Sequence, residues 1–238
     1  MDDLTSRFLD AHTAIEKWLK SQVDADRRRD FLELVDGVSA LNYSVHRHNT
    51  ALKELNRFRN VVVHNYSRGR PLAAPTTHAV ELITAIRKEL LSPPLLLPLA
   101  ATPVAHCRPS DPLGCCVKKM HDGVFSQLPV YEGNEYVGLL TAETIARWLA
   151  TEFVGDWKGI VDERSVAEVM RHQESSENSK FLAARATVAD AMSAFDDFQH
   201  RGKRLEAILI TSAGSPSEPL RGIVTIHDIP KLNKAING

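Results

Sequence analysis

Gly222-Ile223-Val224-Thr225-Ile226-His227-Asp228 is the stretch that decides how the second half of this chain folds. The run from Leu220 to Val224 reads as a strand, and a helix is expected from Ile229. Ala207 to Ile210 reads as the partner strand, with Ala213-Gly214-Ser215-Pro216-Ser217-Glu218 as the loop between the two. The same phrase occurs about 84 residues earlier. There Gln127 to Tyr131 reads as a strand, Glu132-Gly133-Asn134-Glu135 as a hairpin turn, Tyr136 to Leu140 as the returning strand, and Ala142 to Ala150 as a helix. The matching seven residues are Gly138-Leu139-Leu140-Thr141-Ala142-Glu143-Thr144, so Thr144 stands where the later copy has Asp228. A phrase repeated at fixed spacing is the mark of an internal duplication.

The Thr225/Asp228 pair carries readable chemistry. A carboxylate just beyond a strand, at the start of a helix, can accept both hydroxyls of a ribose. Thr225, three residues earlier, can meet a phosphate or the first helical amides. The structural alternative is that both residues only cap the helix that follows. His227, Lys203 and Arg204 are the basic groups expected to meet phosphate, although basic residues beside a turn are commonly just solvated.

These phrases resemble a pair of CBS motifs forming a Bateman module. That family ends each motif with Gly-x-x-Thr-x-x-Asp, which residues 222–228 match in full and residues 138–144 match except at Thr144. Met120-His121-Asp122-Gly123-Val124-Phe125-Ser126-Gln127-Leu128-Pro129-Val130 is similar to a first repeat, and Val166-Ala167-Glu168-Val169-Met170 to the segment that introduces a second. The resemblance covers nearly all of residues 104–238. It implies tandem βαββα repeats, motif 1 over 104–160 and motif 2 over 161–238, and a regulatory adenosine nucleotide: AMP, ADP, ATP or a cyclic dinucleotide. Thr225, Asp228, His227 and Arg204 are its expected contacts, with one good site per chain because Thr144 replaces the aspartate. The polar run Arg171 to Asn178 lies in an expected loop between repeats, from Glu152 to Ser179.

The first ninety residues follow helical periodicity instead. Leu4, Phe8, Ala11, Ile15 and Leu19 mark one side of a first helix over residues 1–20. A second helix carries Phe31, Leu32, Leu34, Val35 and Leu41, a third runs from about His48 to His64, and a fourth begins at Thr77. Ser67-Arg68-Gly69-Arg70-Pro71 breaks the third. Four helices with short links predict a bundle over residues 1–92. Ser92-Pro93-Pro94-Leu95-Leu96-Leu97-Pro98 cannot be helical, and residues 93–103 are expected as a semi-rigid linker whose leucines pack against something.

On the third helix, Leu52, Leu55, Phe58 and Val62 describe a buried stripe, while Asn56, Asn60 and His64 recur at intervals of four on a neighbouring face. Arg59 precedes His64 by five residues, about 140° round the helix and ~7.5 Å along it. A fixed cation beside a group titrating near neutrality suits phosphodiester cleavage, which needs a proton carrier and stabilisation of phosphorane charge. An Arg and a His near a helix C-terminus also serve simply to meet its last carbonyls. The pattern Arg-x4-His-x-Tyr, filled by Arg59, His64 and Tyr66 with Asn60 following the arginine, resembles the HEPN superfamily and most nearly its HepT-type toxins. That resemblance covers residues 1–95. It implies a homodimer that cuts RNA without a metal, His64 acting as general base or acid, Arg59 stabilising charge, Asn60 orienting His64 or binding phosphate, and Tyr66 positioning RNA or being modified. Arg27, Arg28 and Arg29, with Arg57, Arg68 and Arg70, are candidate RNA-backbone contacts.

Together these readings predict a multidomain chain, α followed by α+β, in which nucleotide binding to the CBS pair regulates a metal-independent endoribonuclease. The competing reading is a non-enzymatic nucleotide sensor whose helical half serves dimerisation or partner docking. A third is a helical half that binds nucleotide or RNA without cutting it. Composition constrains these choices. A formal net charge of −1 gives no global attraction to nucleic acid, so RNA contacts would need a local patch. The longest apolar stretch, Pro93 to Ala105, is too short and proline-rich for a bilayer, and Met1-Asp2-Asp3-Leu4 lacks a signal-peptide pattern, so a cytoplasmic protein is expected. Cys107, Cys115 and Cys116 are odd in number and lack ligand partners at metal spacing, and are expected as small buried residues.

Overall fold

The computed structural model describes residues 3–23, 29–64, 66–67, 70–71, 73–154, 164–173 and 175–237. Arg27, Arg28 and Arg68 among the expected RNA contacts lie outside them. The chain divides into two compact units, one of Met1–Pro94 with Thr187–Ser193 and Ala235–Gly238, the other of Leu95–Ala186 with Ala194–Lys234.

In the first unit, α1 (Asp3–Ser21) packs along α5 (Thr77–Leu91), and α2 (Phe31–Ser39) packs on α3 (Tyr43–Arg47) and α4 (Asn49–His64). Phe8, Ile15, Leu19, Leu34, Leu52, Ile83 and Ile86 are fully buried among the helices. Burial of one such side chain stabilises the fold by roughly 1.5–3 kcal/mol, which explains why the helical stripe dictates the bundle. Helix α2 starts at a capping box in which Asp30 accepts from the Glu33 N–H and Glu33 accepts from the Asp30 N–H.

Four long helices were expected, and a fifth, five-residue helix intervenes. Helix α2 ends at Ser39, short of Leu41, and Asn42 accepts from the Val45 N–H to begin α3. Leu41 is therefore 87% exposed rather than in the core. His48, just past α3, forms a part-buried hydrogen bond with Glu89 of α5, Nε2 to Oε2 at 2.8 Å. The break after α4 is a small antiparallel hairpin, β1 (Tyr66–Ser67) with β2 (Arg70–Pro71).

The second unit opens at Leu95, inside the expected linker. Leu96 is buried with its N–H on the Ala186 carbonyl, Leu97–Leu99 is a 3-10 turn, and Ala101 exchanges backbone bonds with Ile223. Helix α6 (Leu113–Gly123) leads to the antiparallel hairpin of β3 (Gln127–Glu132) and β4 (Glu135–Thr141), then to α7 (Ala142–Val154). After α8 (Val166–Met170) come β5 (Ser179–Ala183), α9 (Val188–His200), β6 (Ala207–Thr211), β7 (Gly222–Thr225) and α10 (Ile229–Asn237). Strand β6 lies parallel to β5 and antiparallel to β7. The later repeat is thus a full β-α-β-β-α phrase. In the earlier one the first strand shrinks to a single parallel bridge, in which Cys107 donates to the Pro129 carbonyl and accepts from the Tyr131 N–H.

Both motif glycines sit close to a neighbour, Gly222 against the fixed Cβ of Ala100 and Gly138 against the movable end of Met170. A Cβ on Gly222 would lie 2.8 Å from Cβ of Ala100, and one on Gly138 would lie 2.6 Å from Cε of Met170. Of the cysteines, Cys107 and Cys116 are buried and hydrogen-bonded to each other, which holds the Cys107 thiol above its ordinary value. Cys115 corrects the expectation: on the outer side of α6 it is exposed.

Candidate functional site

At the end of β7 the chain leaves the sheet through Thr225 and enters a 3-10 turn, Ile226–Asp228, before α10. Thr225 is extended, so its hydroxyl accepts from the His227 N–H at 3.3 Å. The Asp228 carboxylate folds back, Oδ2 accepting from the Thr225 N–H at 2.8 Å and from the Thr225 hydroxyl at 3.2 Å. This reciprocal cap satisfies amides that a helix start leaves open. It also leaves Oδ1 without a bond among the described residues and holds the carboxylate in the lining of a cavity of about 730 Å³. Thr225, His227 and Asp228 line that cavity together with Val104, Phe125 and Gln127. Such a volume lies within the range of small-molecule sites.

The far wall of the cavity was only half legible. The stretch from Met120 to Val130 was singled out by motif, and its His121, Gly123, Val124, Phe125, Ser126 and Gln127 supply that wall. Pro103, Val104 and Ala105 complete it from the stretch expected to be linker. Val124 holds a left-handed φ of 52° at the end of α6, a conformation that costs a β-branched residue on the order of 1 kcal/mol. It is 92% exposed, so no packing offsets that strain.

Arg204 does not join this site. With Lys203 it lines a separate cavity of about 350 Å³ whose walls include Thr141 and Thr144, the capping pair of the earlier repeat. Arg204 there engages Glu206 at 2.8 Å and Glu143 at 3.7 Å, and Lys203 pairs with Glu177. At Thr144 the backbone bond runs the other way, the Thr144 N–H donating to the Thr141 hydroxyl at 3.1 Å, with the two hydroxyls 2.9 Å apart. Both threonines are buried, so the earlier repeat offers no carboxylate where the later one does.

In the helical unit, Arg59 is half-buried and its Nη1 donates to Oδ1 of the exposed Asn60 at 3.2 Å. His64, at the last residue of α4, is exposed, and Tyr66 follows in β1. The polar ladder divides between two roles. Asn56 turns to the core side, its Oδ1 3.0 Å from Nε2 of the buried His12, whose ring stacks on Phe31 at 4.5 Å. Burial lowers the pKa of His12, and the charge of Arg59 acts in the same direction. A structural partner thus accounts for one of the three polar rungs.

Among the described residues no group of three or more His, Cys, Asp or Glu is arranged to hold a metal ion. No helix among them is long and apolar enough to cross a membrane.

Residues 98–151 match the CBS domain family. No curated protein matches the chain. Similar solved structures include a CBS domain pair in complex with 5′-methylthioadenosine and S-adenosyl-L-methionine, 16% identical, covering 60% of this chain and 97% of that one with a TM-score of 0.45. CbpB in complex with c-di-AMP is 18% identical, covering 66% and 93%, with a TM-score of 0.43. A signal-transduction protein with CBS domains from Burkholderia ambifaria MC40-6 is 16% identical, covering 54% and 80%, with a TM-score of 0.40.

Proposed function

We propose that this chain is a nucleotide-responsive regulator whose CBS-type half binds an adenosine nucleotide beside Thr225 and Asp228. One observation carries the reading: the carboxylate at the end of β7 is held by its own threonine with an oxygen to spare, in the lining of a cavity of about 730 Å³. A ribose diol is the group that such a carboxylate accepts best, since two hydroxyls donate to one charged acceptor. The His227 side of the cavity suits the phosphates, and the apolar wall of Ala105 and Phe125 suits a purine. Arg204 is not among the contacts, because it lies with Thr141 and Thr144. A CBS pair, rather than the single domain matched at residues 98–151, is supported by the repeat of the Thr-x-x-Asp/Thr turn and of the β-β-α order around it. Calorimetric titration of the whole chain with AMP, ADP, ATP and cyclic di-AMP tests the reading. At least one of them is expected to bind, and binding by none would retire it.

A second reading concerns output. His64 and Asn60 are exposed at the end of α4, with Arg59 bonded to Asn60, which suits a metal-independent endoribonuclease assembled in a homodimer. In that reading His64 moves the proton of a ribose 2′-hydroxyl, Arg59 stabilises the phosphorane, Asn60 orients the pair, and Tyr66 stands beside the RNA. The bound nucleotide governs activity only through a difference in affinity between two arrangements of the dimer. His64→Ala is expected to lower cleavage of total cellular RNA at least ~100-fold, the lower range for a proton-transfer group. Equal activity in both proteins, or none in the wild type with and without nucleotide, leaves a non-enzymatic sensor whose helical half docks a partner.

A further inference from the structure

A second cavity in the CBS-type unit, of about 680 Å³, contains neither Thr225 nor Asp228. Leu97, Val104 and Leu220 give it an apolar lining, and the Tyr131 ring forms part of the wall. Tyr131 is only 8% exposed, and its hydroxyl is buried with no hydrogen-bond partner among the described residues. Burial pushes that phenol up to about 12, so it stays a neutral donor at physiological pH.

Two opposite charges line the same cavity, three residues apart in the loop that leads into β7. Glu218 accepts from the Ala213 N–H at 2.7 Å, and that bond, with the Thr211 hydroxyl, holds its carboxyl below the usual carboxylate range. It is therefore a negative charge fixed in place by its own loop. Arg221 is anchored through its backbone, its N–H donating to the Ile210 carbonyl at 2.7 Å. Arg221 is exposed, and its guanidinium has no ion pair among the described residues, with Glu218 or with any other carboxylate.

We infer that this cavity binds a free α-amino acid with an apolar side chain. The reasoning is one of charge balance. A simple carboxylate satisfies Arg221 but faces Glu218, and a simple amine satisfies Glu218 but faces Arg221. A zwitterion meets both, because its ammonium and carboxylate are carried on one carbon. The aliphatic or aromatic side chain then occupies the Leu97, Val104 and Leu220 surface. The site goes beyond the nucleotide reading and stands whether or not that reading holds.

Calorimetric titration of the whole chain with L-leucine, L-phenylalanine, 4-methylpentanoate and 3-methylbutylamine decides the matter. The last two keep the leucine side chain and carry only the carboxylate or only the ammonium. Leucine or phenylalanine is expected to bind, with each single-charge analogue at least ~10-fold weaker, the loss of one charge-assisted contact. Arg221→Gln and Glu218→Gln are each expected to weaken amino-acid binding by about the same factor, the latter while keeping the acceptor for Ala213. Leu220→Trp, which fills the cavity from a partly exposed position, is expected to remove binding, with circular dichroism reporting the fold. Absence of binding by both amino acids overturns the proposal, as does 4-methylpentanoate binding as tightly as leucine. Unchanged affinity in both charge variants overturns it as well, whatever the tryptophan variant does.

Discussion

Asp228→Ala separates the two roles that the Thr225/Asp228 turn can play. The side chain accepts two bonds from Thr225, at 2.8 Å from the amide and 3.2 Å from the hydroxyl, and its loss uncaps the turn before α10. Removal of a helix cap costs about 1 kcal/mol. For a chain of 238 residues that shifts the melting temperature down by about 3 °C. A ribose diol on the same carboxylate adds hydrogen bonds to a charged acceptor, worth roughly 1.5–3 kcal/mol. Affinity for the nucleotide is therefore expected to fall about 10- to 150-fold. Asp228→Asn supplies the second comparison, since its amide oxygen still accepts from the Thr225 N–H while the charge is gone. It is expected to melt within about 1 °C of wild type and still bind nucleotide about 10-fold more weakly. Thermal melts by circular dichroism and calorimetric titration with ATP and AMP read both quantities on the same samples. A 3 °C loss with an affinity within twofold of wild type would refute the ligand role and leave Asp228 as a cap alone.

Three further outcomes are expected from the packing. His12 is buried as a neutral ring with its pKa depressed, chiefly by desolvation. The unfolded chain takes up a proton below pH ~6.5 that the native ring refuses, so stability is full above that pH. It falls toward the lower folded value by at most about 1.4 kcal/mol per pH unit. His12→Gln, which can keep the bond to Asn56, is expected to flatten the melting temperature between pH 7 and 5 relative to wild type, and equal slopes in the two proteins would contradict it. Val124→Gly relieves a left-handed β-branched residue that is 92% exposed, and a gain of about 1 kcal/mol in urea unfolding is expected, with a loss of stability as the contrary result. Gly222→Ala puts a methyl 2.8 Å from Ala100 and 3.1 Å from Leu97, and a loss of about 2 kcal/mol in the same measurement is expected, an unchanged midpoint counting against the close approach.

The helical half was legible because its signal is local. Phe8, Ile15 and Leu19 repeat at the helical period, and the same residues are buried. Short apolar runs from Gln127 to Tyr131 and from Ala207 to Ile210 likewise announced their strands, and the repeat placed Thr225 and Asp228 at the end of the strand that returns beside the second. Motif and periodicity thus gave the long helices of the first half, the repeated β-β-α phrase and the acidic residue that belongs to the candidate nucleotide site. They could not show that Leu41 would be left outside, since the Asn42 cap overrides a single leucine at the end of a run.

What only the tertiary structure decided are the pairings between distant residues. Arg204 was grouped with Asp228 on charge, yet Glu143 and Glu206 draw it beside Thr144, because ion pairs form with whichever carboxylates the fold brings near. Asn56 read as one rung of a polar ladder and proved to be the partner of His12, 44 residues away, since a buried imidazole must find a hydrogen bond wherever packing offers one. The cavity with opposed Glu218 and Arg221 has no sequence signature either: its walls come from residues 97–106, 131–134 and 218–221, which the pairing of Ala101 with Ile223 and of Cys107 with Val130 helps to bring together. Periodicity reports how one element faces solvent, whereas a site depends on side chains from several elements meeting in space, and that is fixed by packing alone.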